Sequence, residues 1–98
     1  MSGSVLNPGV RVVSVKGSSR LETLTEADEV AGDLTFTAPI DYVEIVNLDA
    51  DNTGVFTVNG QTIPVPPRTA VGPERVTGTA SATVSVTGST SYIVVNRS

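Results

Sequence analysis

The sequence holds no cysteine, no histidine and no tryptophan, and each absence closes a line of chemistry. Without cysteine there is no disulfide, no thiol nucleophile and no thiolate metal site. Without histidine the usual general base near neutral pH is missing, and with it the commonest ligand for zinc, copper or iron. Only Phe36, Tyr42, Phe56 and Tyr92 are aromatic, too few for a platform that stacks nucleic-acid bases or sugar rings. Ten acids against six bases leave a net charge of −4. A footprint for phosphate backbones needs the opposite sign, so no nucleic-acid partner is expected. No apolar run approaches the roughly 20 residues of a membrane helix, so no membrane partner is expected either. The first nine residues lack the basic and apolar stretches of a secretory leader, and none is expected.

What is present decides the fold class. Seventeen valines, four isoleucines and thirteen threonines stand against five leucines and seven alanines. Branching at Cβ suits a pleated surface better than a helix. Nine glycines, six prolines and ten serines punctuate the chain at short intervals. Ninety-eight residues allow one core. The expectation is an all-β chain, a single-domain antiparallel β-sandwich or jelly roll of about six to eight short strands. An extended N-terminal arm over residues 1–9, broken by Pro8-Gly9, precedes a β domain over 10–98.

Within that domain a first strand is expected over 10–16, with Val13 and Val15 on one face and Val10 and Val12 on the other. Residues 20–32 are ambiguous. A short strand followed by a loop is preferred, and a single helical turn near 26–30 is the alternative, since Thr25 and Asp28 have the spacing of a capping box. Alternation then marks strands over 33–37, 42–48, 55–58 and 61–65, with Asn59-Gly60 as the strongest hairpin signal. Pro64, Pro66 and Pro67 confine the returning strand to a sheet edge or end. Residues 68–78 read as irregular, and 80–86 with 91–96 as a last hairpin. The expected core is Val13, Val15, Leu34, Phe36, Val43, Ile45, Phe56, Val58, Ile63, Val84, Val86, Ile93 and Val95.

No catalytic residues are expected. The carboxylate pairs Glu22/Glu26, Asp28/Glu29, Asp41/Glu44 and Asp49/Asp51 have no histidine, no suitably placed lysine and no nucleophile motif beside them. Asp49, Asp51 and Thr53, followed by Gly54, copy the first half of a calcium loop, but Gly60 stands where the bidentate glutamate should be. A plain Asp/Asn-rich turn is the preferred reading, and calcium held with help from a distant carboxylate is the alternative. Charge is segregated: residues 1–20 carry +3, residues 21–67 carry −9 and the remainder +2. Such asymmetry steers a docking partner, or it reflects basic and acidic strands that neighbour one another. Valine on both faces of 10–15 and 93–95 exceeds what a two-sheet core needs; burial against a partner is the preferred reading, and a small core that is simply rich in valine is the alternative.

The strand at 42–47 (Tyr-Val-Glu-Ile-Val-Asn), the hairpin at 55–60 (Val-Phe-Thr-Val-Asn-Gly) and the closing strands from Ala82 to Val95 resemble small virion proteins of tailed bacteriophages, the head decoration or cement type. The resemblance implies a non-enzymatic protein that seats on the outer surface of the phage head and stabilises it. It implies the major capsid protein as partner, self-association for which a trimer is preferred, synthesis in the host cytoplasm and no cofactor. Candidate contacts are Val5 and Leu6 on the arm, Val10, Arg11 and Val12 beside it, and the acids Glu22, Glu26, Asp28 and Glu29. A different class is also open: an adhesion or ligand-binding module of a phage tail or fibre that works through the loops at 49–54 and 64–73.

Overall fold

The computed structural model describes residues 21–97. The expected arm and the strand at 10–16, with Val5, Leu6, Val10, Arg11, Val12, Val13 and Val15, lie outside the described residues.

Asn59-Gly60 is the turn from which the fold grows outward. Both residues have positive φ, 50° and 79°, as the tightest hairpin turn requires. They join β4 (Gly54–Val58) to β5 (Gln61–Val65), paired from Val58–Gln61 to Gly54–Val65. Farther out, β3 (Tyr42–Asn47) pairs with β6 (Thr69–Arg75), β2 (Asp33–Thr35) with β7 (Thr83–Thr87), and β1 (Leu21–Thr25) with β8 (Tyr92–Arg97). The partners Leu21 and Arg97, Asp33 and Ser85, Tyr42 and Arg75, and Gly54 and Val65 are all placed nearly symmetrically about Asn59. The chain is therefore one long antiparallel hairpin rolled on itself. Rolling brings β8 beside β3 and β7 beside β4, giving sheet I in the order β1-β8-β3-β6 and sheet II in the order β2-β7-β4-β5. This is the jelly-roll form of the sandwich, the architecture that the composition implies.

Between the sheets lie Leu34, Phe36, Ile40, Val43, Ile45, Phe56, Val58, Val65, Val84, Val86, Tyr92 and Val94, all buried. Eight of the expected core positions are among them, and Ile63 packs against them half-buried. Ile93 and Val95 are a correction: the alternation of β8 runs the other way and buries Tyr92, Val94 and Asn96. The tyrosine decides it. Its ring meets Phe56 edge-on at 5.4 Å between centroids, with the planes at 82°. Burying a ring of that size outweighs burying Ile93 or Val95 in its place.

Residues 68–78 are a second correction, because most of them form β6. Pro73 is tolerated there because β6 is an edge strand with β3 as its partner, so the missing N–H faces no ladder. A bulge at the Val43/Ile45 step, where Gly72 and Pro73 stand opposite Glu44, absorbs the one extra residue of β6. Gly72 supplies φ +93°, where its Cα lies so close to the Val43 carbonyl that a side chain has no room. The ambiguous stretch resolves into both of its readings: β1, then a 3-10 turn Glu26–Asp28 with the Thr25/Asp28 capping box formed. Pro64 sits in β5, the edge of sheet II, as its chemistry requires.

Candidate interaction face

The two sheets share a core but turn different outer faces to solvent. Cross-strand partners point to the same side of a sheet, so the rows can be read from the register. On sheet II the outer rows are Asp33–Ser85–Thr57–Thr62, Thr35–Thr83, and Thr87–Val55–Pro64. Hydroxyls dominate. On sheet I the rows are Leu21–Arg97–Tyr42–Arg75, Thr23–Val95–Glu44, and Thr25–Ile93–Val46–Ala70. Leu48 follows Val46 by two residues and continues that apolar stripe.

Among the described residues four large apolar side chains stand well exposed, and Leu21 (58%), Leu48 (49%) and Tyr42 (40%) belong to this one face. Ile93, Val95 and Val46 fill its centre half-buried. Its charges are few: Arg97 lies 3.8 Å from Glu44, too exposed a pair to hold much of the fold, and Arg75 sits at the margin. A β-branched patch with a small polar rim matches the anatomy of a protein–protein contact.

The acids singled out in the sequence are placed elsewhere and are occupied. The Glu22 carboxylate accepts from the Thr37 N–H at 2.9 Å and from its hydroxyl at 2.8 Å. Glu26 accepts from the Tyr92 N–H at 2.9 Å, Asp28 from the Thr25 N–H at 2.9 Å, and Glu29 from the Tyr92 hydroxyl. They pin β1 and its turn to β8 and to the exit of β2. Burial, then the Glu29 carboxylate, pushes the Tyr92 phenol well above its ordinary value. Tyr92 therefore remains a proton donor.

Asp49 is likewise committed. One carboxylate oxygen accepts from the Asp51 and Asn52 N–H groups at 2.9 and 3.1 Å, and the other from the Thr90 N–H and hydroxyl, both at 3.0 Å. The Asn52 amide adds a contact to each. Backbone donors from Asp51 and Thr90 hold its pKa far below the usual carboxylate range. Beside it, fully buried Asn47 donates to the carbonyls of Asn52, Val65 and Pro66, and accepts from the Asp49 N–H and the Ser89 hydroxyl. The two residues lock three loops at one end of the sandwich. Asp49 and Asp51 are not joined by a further acid: among the described residues no group of three or more His, Cys, Asp or Glu is placed to hold a metal. The 49–54 loop is a side-chain-capped turn.

A hollow of about 430 Å³ lies over sheet II and is lined by Thr57, Asn59, Gly60, Thr79, Ala80, Ser81, Thr83 and Ser85. It offers hydroxyls and an amide but no acid, base or nucleophile pair.

No family model matches the chain, and no curated protein or solved structure does so either. The fold and its outer faces define a small jelly roll with one apolar sheet surface.

Sequence reasoning foresaw an apolar surplus at 93–95 but did not locate the face. Tyr42, Val46 and Leu48 carry a signal: they alternate with Val43, Ile45 and Asn47, so one strand is apolar on both sides.

Proposed function

We propose that this chain is a non-enzymatic structural protein of a virion, a decoration protein that seats on the outer surface of a tailed-phage head and stabilises it. Its partner is the major capsid protein, and copies of the chain associate with one another, a trimer being the order we test first. The observation that carries the reading is the contrast between the outer faces: sheet II is hydroxylated, while sheet I exposes Leu21, Tyr42 and Leu48 around a Val46–Ile93–Val95 centre. That surface suits occupation by another protein. The resemblance to head decoration proteins supplies the identity of the partner.

The test is co-sedimentation with purified heads of the parent phage, comparing wild type with Ile93→Lys and Tyr42→Ala. Both side chains point outward, so the fold should survive by circular dichroism. Occupancy should fall at least about tenfold for Ile93→Lys, a hot-spot-sized loss. Wild type that fails to bind heads, or binding indifferent to both substitutions, would remove this assignment.

A second reading has one observation in its favour. The hydroxyl-lined hollow on sheet II suits a polyhydroxylated ligand, as an adhesion module of a tail or fibre requires. A glycan array that gives a signal abolished by Thr83→Trp, with head binding absent, selects it.

A further inference from the structure

Of the five asparagines in the chain, only Asn59 is followed by glycine. Asparagine is thermally labile because its side-chain carbonyl carbon can react with the backbone nitrogen that follows it. Glycine at that next position has no Cβ to hinder the approach. The pair forms the hairpin turn between β4 and β5, with Asn59 half-buried and Gly60 exposed in open space.

The Asn59 carboxamide is fastened at both of its polar atoms. Its Nδ2 donates to the Ile40 carbonyl at 3.2 Å, and its Oδ1 accepts from the Ser81 N–H at 2.8 Å. Ile40 and Ser81 lie on the two connections that cross between the sheets at this end, 36–41 from β2 to β3 and 76–82 from β6 to β7. Those connections are also joined directly, the Ile40 N–H donating to the Ser81 carbonyl at 3.0 Å. The carboxamide therefore stands in for a peptide group, one donor and one acceptor, between two stretches of backbone. The 76–82 connection closes over the turn. A Cβ on Gly78 would stand 2.6 Å from the Asn59 carbonyl oxygen, and the Gln61 side chain accepts from the Thr77 N–H at 2.8 Å.

We propose that Asn59 is a deamidation site that the fold keeps shut, and that opening of the 76–82 connection sets its rate. The reaction balances with solvent alone. The Gly60 nitrogen, having lost its proton to a solvent base, bonds to Asn59 Cγ. The Cγ–Nδ2 bond breaks, Nδ2 leaves as ammonia with a proton from solvent, and a cyclic succinimide remains. Water then adds to one of its two carbonyls and opens the ring to aspartate or isoaspartate. The first step brings Cγ over the Gly60 nitrogen, so the carboxamide must release Ile40 and Ser81 beforehand. The product cannot restore the Ile40 bond, because an oxygen replaces Nδ2 and acceptor faces acceptor. Isoaspartate also lengthens the backbone of a turn whose register depends on its length. Each opening thus exposes the turn to an irreversible change, a one-way latch on this end of the sandwich. It does not depend on what binds either outer face.

Two rates measured on the full chain in one neutral buffer test the proposal. The first is conversion at residue 59, followed by peptide mass as –NH₂ becomes –OH. The second is amide exchange at Ser81, whose N–H is held by the Asn59 Oδ1. Conversion in the folded chain should be at least about tenfold slower than in the chain unfolded by urea. That slowing should match the protection of the Ser81 amide to within about threefold, since one opening exposes both. Gln61→Ala, an exposed change that frees the Thr77 N–H, should speed both. Gly60→Ala should slow conversion in urea, where folding plays no part, which ties the chemistry to the following nitrogen. Equal conversion in the folded and unfolded chains would overturn the proposal. So would faster conversion in the folded chain, which would make the Ser81 N–H an activator of the carbonyl. Slowing at residue 59 far beyond that of the Ser81 amide would assign the reaction to global unfolding and overturn the role of the connection. A Gln61→Ala chain that speeds Ser81 exchange alone would do the same.

Discussion

Asp49 accepts from backbone and side-chain donors of Asp51, Asn52 and Thr90, so its charge is an adhesive between two loops. Its lowered pKa makes that adhesive pH-dependent, with a definite sign. A carboxyl group whose folded pKa lies below its unfolded one contributes stability that is fully present above the unfolded value, about 3.9, and drains away on acidification below it. Asp49→Asn turns an amide N–H₂ toward groups that are themselves donors. The variant should melt earlier than wild type at pH 7, and the gap between the two melting curves should narrow as pH falls below about 4. Tyr92 works with the opposite sign. Its pKa is raised, by burial first and then by Glu29, so its share of stability is complete below about pH 10 and is lost as pH climbs beyond it. Tyr92→Phe keeps the edge-on contact with Phe56 and loses only the bond to Glu29. It should cost about 1 kcal/mol in urea unfolding at pH 7, and the alkaline decline should become shallower.

At the scale of elements, what was legible in the sequence follows from how many signals each strand sends. The turn at Asn59-Gly60 announces itself because both residues accept positive φ, and the strands it joins begin and end within a residue of the sequence-based boundaries. β8 is different: Ile93, Val94 and Val95 are equally apolar, so periodicity cannot choose the inner face, and a tyrosine that finds Phe56 across the core chooses it. β6 was hidden because Gly72 and Pro73 are turn residues everywhere except at a bulged edge. The interaction face was half-legible, since the doubled valines are visible but the register that gathers them is a tertiary fact. The lock formed by Asn47 and Asp49 is not legible from the 49–54 segment, because its other donors come from Ser89 and Thr90, some forty residues away in the chain. The bulge gives a sharp prediction. A Cβ on Gly72 meets the Val43 carbonyl, with the Glu74 nitrogen at 3.0 Å and the Glu44 Cα at 3.1 Å, all of it backbone. Gly72→Ala should destabilise by roughly 2–4 kcal/mol, whereas Gly60→Ala, with open space around it, should cost only the left-handed strain of about 1–2 kcal/mol. Urea titration of the two variants against wild type orders them.

For the whole molecule, the symmetry of pairing about Asn59 sets the order in which contacts can be reached. β4 and β5 close a loop of two residues, whereas β1 and β8 join residues as far apart as Leu21 and Arg97. Loop-closure entropy rises with that separation unless the inner pairs form first, and a fold dominated by distant pairings is slow. Zipping outward from the central hairpin reduces each closure to a short one. Substitutions near the centre should therefore act on the folding rate, and those at the rim on the unfolding rate. Gly60→Ala should slow refolding and leave unfolding nearly unchanged. Leu24→Ala, on the strand farthest from the turn, should accelerate unfolding with little effect on refolding. Stopped-flow chevrons of the two variants decide this. If Leu24→Ala slows refolding as much as Gly60→Ala, the rim is formed in the transition state, and the chain closes its outermost strands before the hairpin at its centre can guide them.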